Sequence, residues 1–317
     1  VSAATPPIRI ASAGELLAVV PYLLGHEPAE SLVVIGVSGQ KIQFSARADL
    51  DAPVEEVAIR VRRALSEPPL GMELLIIGYT ESGSECAIRE LAAGLFRHGI
   101  AIVLRVTKGR FYCLSCEGCT PPEGTPIDTA TPAAAELILQ GIAPLASRGA
   151  IDEMVAAASG NHASQMMRAF QRAARRLTRR RFRESEAQAA IEQAFDQAQQ
   201  AVPLADDDAA WLCLVLHDLP VRDIAWRATD TAQWQFDLWL DLTRRCLPAA
   251  VAPVASLLAW SAWRRGDGAV AAAALSRALA VEPDYRLANM IATALEYAMP
   301  TSSIGHWPPE DADLQRT

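Results

Sequence analysis

Two kinds of hydrophobic pattern divide the chain. Up to about residue 127, short apolar runs of strand type alternate with helical stretches; beyond it, apolar residues recur at helical spacing with little interruption. Residues 13–25 place Leu16, Leu17, Val20, Leu23 and Leu24 at helical spacing, with Pro21 set to kink or break the helix. Residues 32–37 form a continuous apolar run of strand type. In residues 41–50, Ile42, Phe44, Ala46 and Ala48 alternate with polar neighbours, so the two runs predict a hairpin. Pro53 opens a helix whose apolar side carries Val54, Val57, Ile59, Val61 and Leu65. Residues 72–79 predict a fully buried strand. A capping box, with Ser82 as N-cap and Glu85 three residues on, predicts a helix reaching about His98. Strands follow at 100–106 and 110–113. The order β-β-α-β-α-β-β combines hairpins with strand–helix–strand units and predicts a mixed sheet covered by helices.

After Asp128 the strand signal stops. Helices are expected at 132–158, with interruptions at Gly141 and Pro144, and at 163–201, 208–218, 220–228, 231–246, 248–265, 268–281 and 284–298. Within 255–285, Gly266 separates two helices, Ala271, Leu275 and Ala278 follow at packing positions, and Pro283 closes the second. That is the spacing of one tetratricopeptide-like helical hairpin. The fold class read from the pattern is therefore an α/β domain with a mixed sheet, residues 1–127, followed by an all-α helical domain, residues 128–317.

Composition leaves this picture in place. With 51% hydrophobic and 21% charged residues, the 317-residue chain has an ordinary core-forming balance. Its net charge of -8 gives no global attraction to nucleic acid or anionic membrane. No apolar run approaches the roughly 20 residues of a membrane span. The first residues lack the charged-then-apolar layout of a secretory signal, so a cytoplasmic address is expected. In such a compartment the six cysteines are expected as free thiols or metal ligands.

Candidate chemistry concentrates in residues 110–126. Cys113, Cys116 and Cys119 form C-x-x-C-x-x-C, which brings three thiolates within reach of one ion. Zinc or an iron–sulfur cluster needs a fourth ligand, for which Cys86 and His98 are the outside candidates. A redox dithiol is a further reading, and a cysteine-lined structural turn without cofactor is the default. The loop carrying Thr80, Ser82 and Ser84 lies between a strand and a helix N-terminus, where backbone N–H groups can hold an anion. Arg168, Arg172, Arg175, Arg179 and Arg183 share one helical stripe that could neutralise phosphates. Acidic residues follow directly and no aromatics interleave, so a solvated or internally paired face is the plainer account. The five histidines show no metal-type spacing, and no nucleophile elbow is present. His217, Asp218, Arg222 and Asp223 are expected to form a polar, helix-capping network.

Four segments together carry a resemblance to a known family: LLAVVPYLLGHEPAESLVVIGV, TPPEGTPID, Val221-Arg222-Asp223 and APVASLLAWSAWRRGDGAVAAAALSRALAVEPDYRLA. On them the chain resembles the actinobacterial domain of unknown function 4192. The resemblance implies no assigned activity, substrate or catalytic residue. The family pattern has adjacent cysteines before the proline where this chain has Cys119-Thr120-Pro121, which weighs against a strict demand for three or four thiolates. The working expectation is a binding module that meets a protein partner through its helical half. A metal- or thiol-dependent enzyme at the cysteine turn and a nucleic-acid binder are the alternatives.

Overall fold

Leu32, Val33, Val34 and Ile35 form an unbroken apolar run, and a strand of that kind is stable only with both faces covered. In the computed structural model, which describes residues 12–38, 41–65, 71–139, 142–179, 184–297, 299, 301–305 and 307–308, this run is β1 (Ser31–Ser38), buried on both sides. On one flank it pairs antiparallel with β2 (Lys41–Asp49), on the other with β3 (Glu73–Tyr79). Parallel to β3 runs β4 (Ile100–Thr107), followed by antiparallel β5 (Arg110–Cys113) and the two-residue β6 (Thr125–Pro126). The order is β2-β1-β3-β4-β5-β6, a mixed six-stranded sheet. Among the described strands, β3 and β4 are the one parallel pair, because the other neighbours pair antiparallel. The alternation in the sequence does not predict β6.

The alternation of side chains sends the sheet's apolar residues to two layers. Leu32, Val34, Leu74 and Ile76 meet α2 (Val54–Ala64) and α3 (Cys86–Leu95) on one face. Val33, Ile35, Ile77 and Leu104 meet α1 (Ala13–Leu24) on the other. Gly78 on β3 lets α3 approach: a Cβ there would collide with the Ile88 side chain. Pro21 does not end α1 at its own position, since the helix continues to Leu24 and closes on Gly25 at φ 73°. The α3 start also differs from the capping box. The residue in N-cap position is Glu85, without a side-chain cap bond, while Ser82 Oγ accepts from Ser84 N–H at 3.3 Å.

Strand structure ends at Pro126, but the compact unit built on the sheet continues to Ala150 and also takes in 296–300; the second unit comprises 151–295 and 301–317. In the first unit α4 (Pro132–Leu139) lays Ala133 and Leu137 on Val19 of α1. A backbone bridge joins His26 to Leu145 ahead of α5 (Arg148–Val155).

The helical unit contains α6 (Gly160–Arg179), α7 (Glu184–Gln199), α8 (Asp206–Val215), α9 (Leu219–Ala228), α10 (Gln233–Arg245), α11 (Val251–Arg264), α12 (Gly268–Val281) and α13 (Arg286–Glu296). The stretch 163–201, expected as one helix, is helical on either side of residues 180–183, which lie outside the described residues. The centre is α11, buried from Val251 to Trp263, as a helix apolar on all sides must be. Its Trp260 donates to the Thr229 carbonyl at 2.9 Å, and Trp239 of α10 donates to Thr229 Oγ1 at 3.0 Å. Arg245 is buried and held by Leu204 O, Asp206 and Asp241 at 2.7–3.0 Å. Among the described residues no helix is long and apolar enough to cross a membrane.

Candidate functional site

The cysteine turn begins where β5 runs out of partners. Arg110 and Tyr112 point to the same side of β5, and both reach across to the returning chain. Arg110 donates to the Glu123 and Gly124 carbonyls at 2.7 and 2.8 Å, and Tyr112 Oη to Glu123 O at 3.0 Å. Cys113 N–H donates to Thr120 Oγ1 at 3.1 Å, and Ser115 Oγ accepts from Val103 N–H at 2.7 Å. Gly118 and Gly124 take φ values of 78° and 76°, the left-handed region glycine enters at least cost. At Gly124 a Cβ would also stand 2.6 Å from the Tyr112 ring. These bonds tie the two ends of the turn, around residues 113–115 and 120–124, without using a sulfur.

On this frame the ligand atoms of Cys113, Cys116 and Cys119 lie within 4.8 Å of one another, the one such group of three among the described residues. Cys113 Sγ is 3.4 Å from Cys116 Sγ. Cys116 and Cys119 are paired as a disulfide, with Cα atoms 6.0 Å apart. Cys113 is half-buried and the other two are exposed. Neither outside candidate joins the group: Cys86 is an exposed free thiol opening α3, and His98 ends the short 3-10 turn at the far end of that helix.

The turn lines a cleft of about 590 Å³ whose opposite wall includes Glu85, Arg89 and Arg105. Arg105 lies over the Tyr112 ring, 4.1 Å from its centroid, and donates to Gly83 O and Glu85 at 3.1 and 3.0 Å. Glu85 also accepts from Arg89 at 2.8 Å. Sequence spacing does not find this wall, because α3, β4 and β5 contribute one or two residues each. The one local signal is the alternation Arg110, Tyr112 around buried Phe111.

Several donors of the loop 80–85 go to its own chain. Glu81 N–H donates to the Glu30 carboxylate at 2.6 Å, the Thr80 and Ser82 hydroxyls share a bond at 3.0 Å, and Ser84 N–H is taken by Ser82. A carboxylate of the protein thus stands at the backbone N–H group where an anion was expected. Near this end of the sheet, Ser31 Oγ and Tyr79 Oη are buried without a hydrogen-bond partner on residues paired across β1 and β3. Burial, with the Glu27 carboxylate nearby, raises the Tyr79 phenol far above the usual tyrosine range, so it stays protonated.

The arginine stripe lies on α6. Arg168 and Arg175 are exposed. Arg172 pairs with Asp207 at 2.6 Å, while Arg176 stands 3.7 Å from Glu186 and stacks over Trp211 at 4.0 Å. The Arg179 side chain and Arg183 lie outside the described residues. Asp218 caps α9 by accepting from Val221 N–H at 3.4 Å, and Arg222 binds Asp223 and Tyr285.

A three-layer unit with a cysteine turn on its sheet edge, joined in sequence to a helical unit, is the class of protein that these features define. The family model described as Domain of unknown function (DUF4192) matches residues 14–302, and the chain belongs to that family. No curated protein and no solved structure matches it.

Proposed function

We propose that the protein binds a thiophilic metal ion, zinc by the chemistry of the donors, through Cys113, Cys116 and Cys119 in their reduced form. The observation that carries this reading is the convergence of three sulfurs on a turn whose backbone is held by other bonds. A tetrahedral ion with bonds of about 2.3 Å keeps its sulfurs roughly 3.8 Å apart, a separation within the span of this group. Cys113 and Cys116 also line the cleft, from which water or a ligand would complete the shell. Three protein ligands with one open position is the arrangement of zinc sites that exchange ligands or act as Lewis acids. A cytoplasmic address would keep the thiols available. Purified without chelator under anaerobic conditions, the chain is expected to carry about one zinc per molecule by elemental analysis, and Cys116→Ser to carry little. Metal-free wild-type protein that also refuses added zinc would sink the proposal.

A second reading concerns the helical unit. The close fit of α11 against α12 across Gly266, at φ 85°, supports a tetratricopeptide-like hairpin and with it a surface for a protein partner. Exposed Val281 and Met290, at 44% and 47%, are the apolar positions such a surface offers on α12 and α13. Cross-linking of the full chain to a purified partner, lost on Met290→Glu, would support it; unchanged cross-linking would remove this surface. The nucleic-acid reading rests on Arg168 and Arg175, which are exposed, since Arg172 and Arg176 face acidic partners within the chain.

A further inference from the structure

We infer that the cysteine turn is a peroxide-sensitive metal switch: the same two sulfurs, Cys116 and Cys119, either help bind the ion or bond to each other, and oxidation releases the metal. The inference rests on the metal reading above and adds its regulation. Geometry supplies the argument. Cys116 and Cys119 are paired in this structure, while Cys113, whose sulfur is 3.4 Å from Cys116, is free. A disulfide sulfur carries no thiolate charge, so closing the pair removes two of three strong donors and leaves Cys113 alone. One thiolate does not hold zinc against water. Both members of the pair are exposed, so an oxidant reaches them without opening the fold. The frame made by Arg110, Tyr112 and Thr120 contains no sulfur contact to Cys116 or Cys119, so the loop keeps its anchors in either state.

The oxidant class is a hydroperoxide. One thiolate attacks the terminal oxygen, breaking the O–O bond to give a sulfenic acid, and the alkoxide or hydroxide leaves with one proton as alcohol or water. The second thiolate attacks the sulfenic sulfur, forms the S–S bond and expels hydroxide, which takes a second proton. Two electrons pass from the sulfurs to the peroxide, and the ion departs to water. Cys213 and Cys246 are buried in the helical unit, out of the oxidant's reach. A hydrogen bond between them, with burial, also keeps the Cys213 thiol raised in pKa and unreactive.

The test uses the reduced full chain, loaded with zinc, freed of excess and treated with hydrogen peroxide in the presence of a chromogenic chelator. The expected result is release of one zinc per chain with loss of two of the six thiols, a Cys116–Cys119 bond in the peptide map, and zinc uptake again after a phosphine reductant. Cys86→Ser, which removes the exposed free thiol outside the turn, is expected to release zinc as the wild type does. Zinc retained while the Cys116–Cys119 bond is mapped overturns the switch, as does zinc lost to sulfinic acid with no disulfide. A reduced chain that never takes up zinc overturns the metal reading itself, an outcome distinct from uptake followed by retention.

Discussion

Gly124 shows how much one residue decides at the cysteine turn. Its φ of 76° and the Tyr112 ring beside it leave no room for a side chain. Gly124→Ala is expected to cost roughly 1–2 kcal/mol from the left-handed backbone alone, with a further loss from the displaced ring. Urea unfolding measures the first effect; faster labelling of the reduced cysteines by a thiol reagent would report the second. Asp267 makes a different case. Its carboxylate caps α12, accepting from Val270 N–H at 3.1 Å, yet partial burial raises its pKa above the ordinary aspartate value. An acid whose folded pKa is raised binds its proton more tightly in the folded state. Its ionisation therefore costs stability as pH rises through the unfolded and then the folded pKa, and the cost persists at neutral pH. Asn keeps the cap oxygen without the charge. Asp267→Asn is expected to match or exceed wild-type stability at pH ~7 and to flatten the pH dependence between the two pKa values. Asp267→Ala should lose about 1 kcal/mol in acid, where the carboxyl is neutral, and less at neutral pH. Paired thermal melts across acid and neutral pH decide this. The sequence shows Asp267 as a cap candidate after Gly266; its burial comes from the packing around it.

At the scale of elements, legibility followed the range of the interaction. The apolar run of β1, the alternation of β2 and the Gly266 break between α11 and α12 are local patterns, and each element formed where its pattern lies. The start of α3 departs from its local pattern: Ser82 and Glu85 fit the capping-box rule, but Arg105 on β4 and Arg89 draw the Glu85 carboxylate away from the backbone. On α12, Ala271, Ala274 and Ala278 form a fully buried stripe at spacings of three and four. Small residues there allow close approach, so Ala274→Leu is expected to overpack the site and lose about 1–3 kcal/mol. A chemical-denaturation midpoint unchanged from wild type would show that the stripe has slack.

For the whole molecule, charge is the property that composition states and packing redistributes. A net charge of -8 and an arginine stripe partly matched by Asp207 and Glu186 predict no retention of duplex DNA or single-stranded RNA in a gel-shift assay at about 0.15 M salt. A salt-sensitive shift abolished by replacing Arg168 and Arg175 would contradict this. The cysteine turn is legible in the sequence because its three cysteines lie within seven residues of one another. Its cleft was not, since Glu85, Arg89 and Arg105 arrive from elsewhere. By itself the sequence determined the element types, the change from strand to helix after the turn, and the spacing that brings three sulfurs together, because periodicity and short loops act over a few residues. Only the tertiary structure decided that β3 inserts beside β1, that α1 covers one face and α2 with α3 the other, and which carboxylate each arginine meets. Those outcomes depend on burial and charge contacts between distant segments, which no local pattern encodes. The turn's chemistry is thus written locally, and its surroundings are set by the fold.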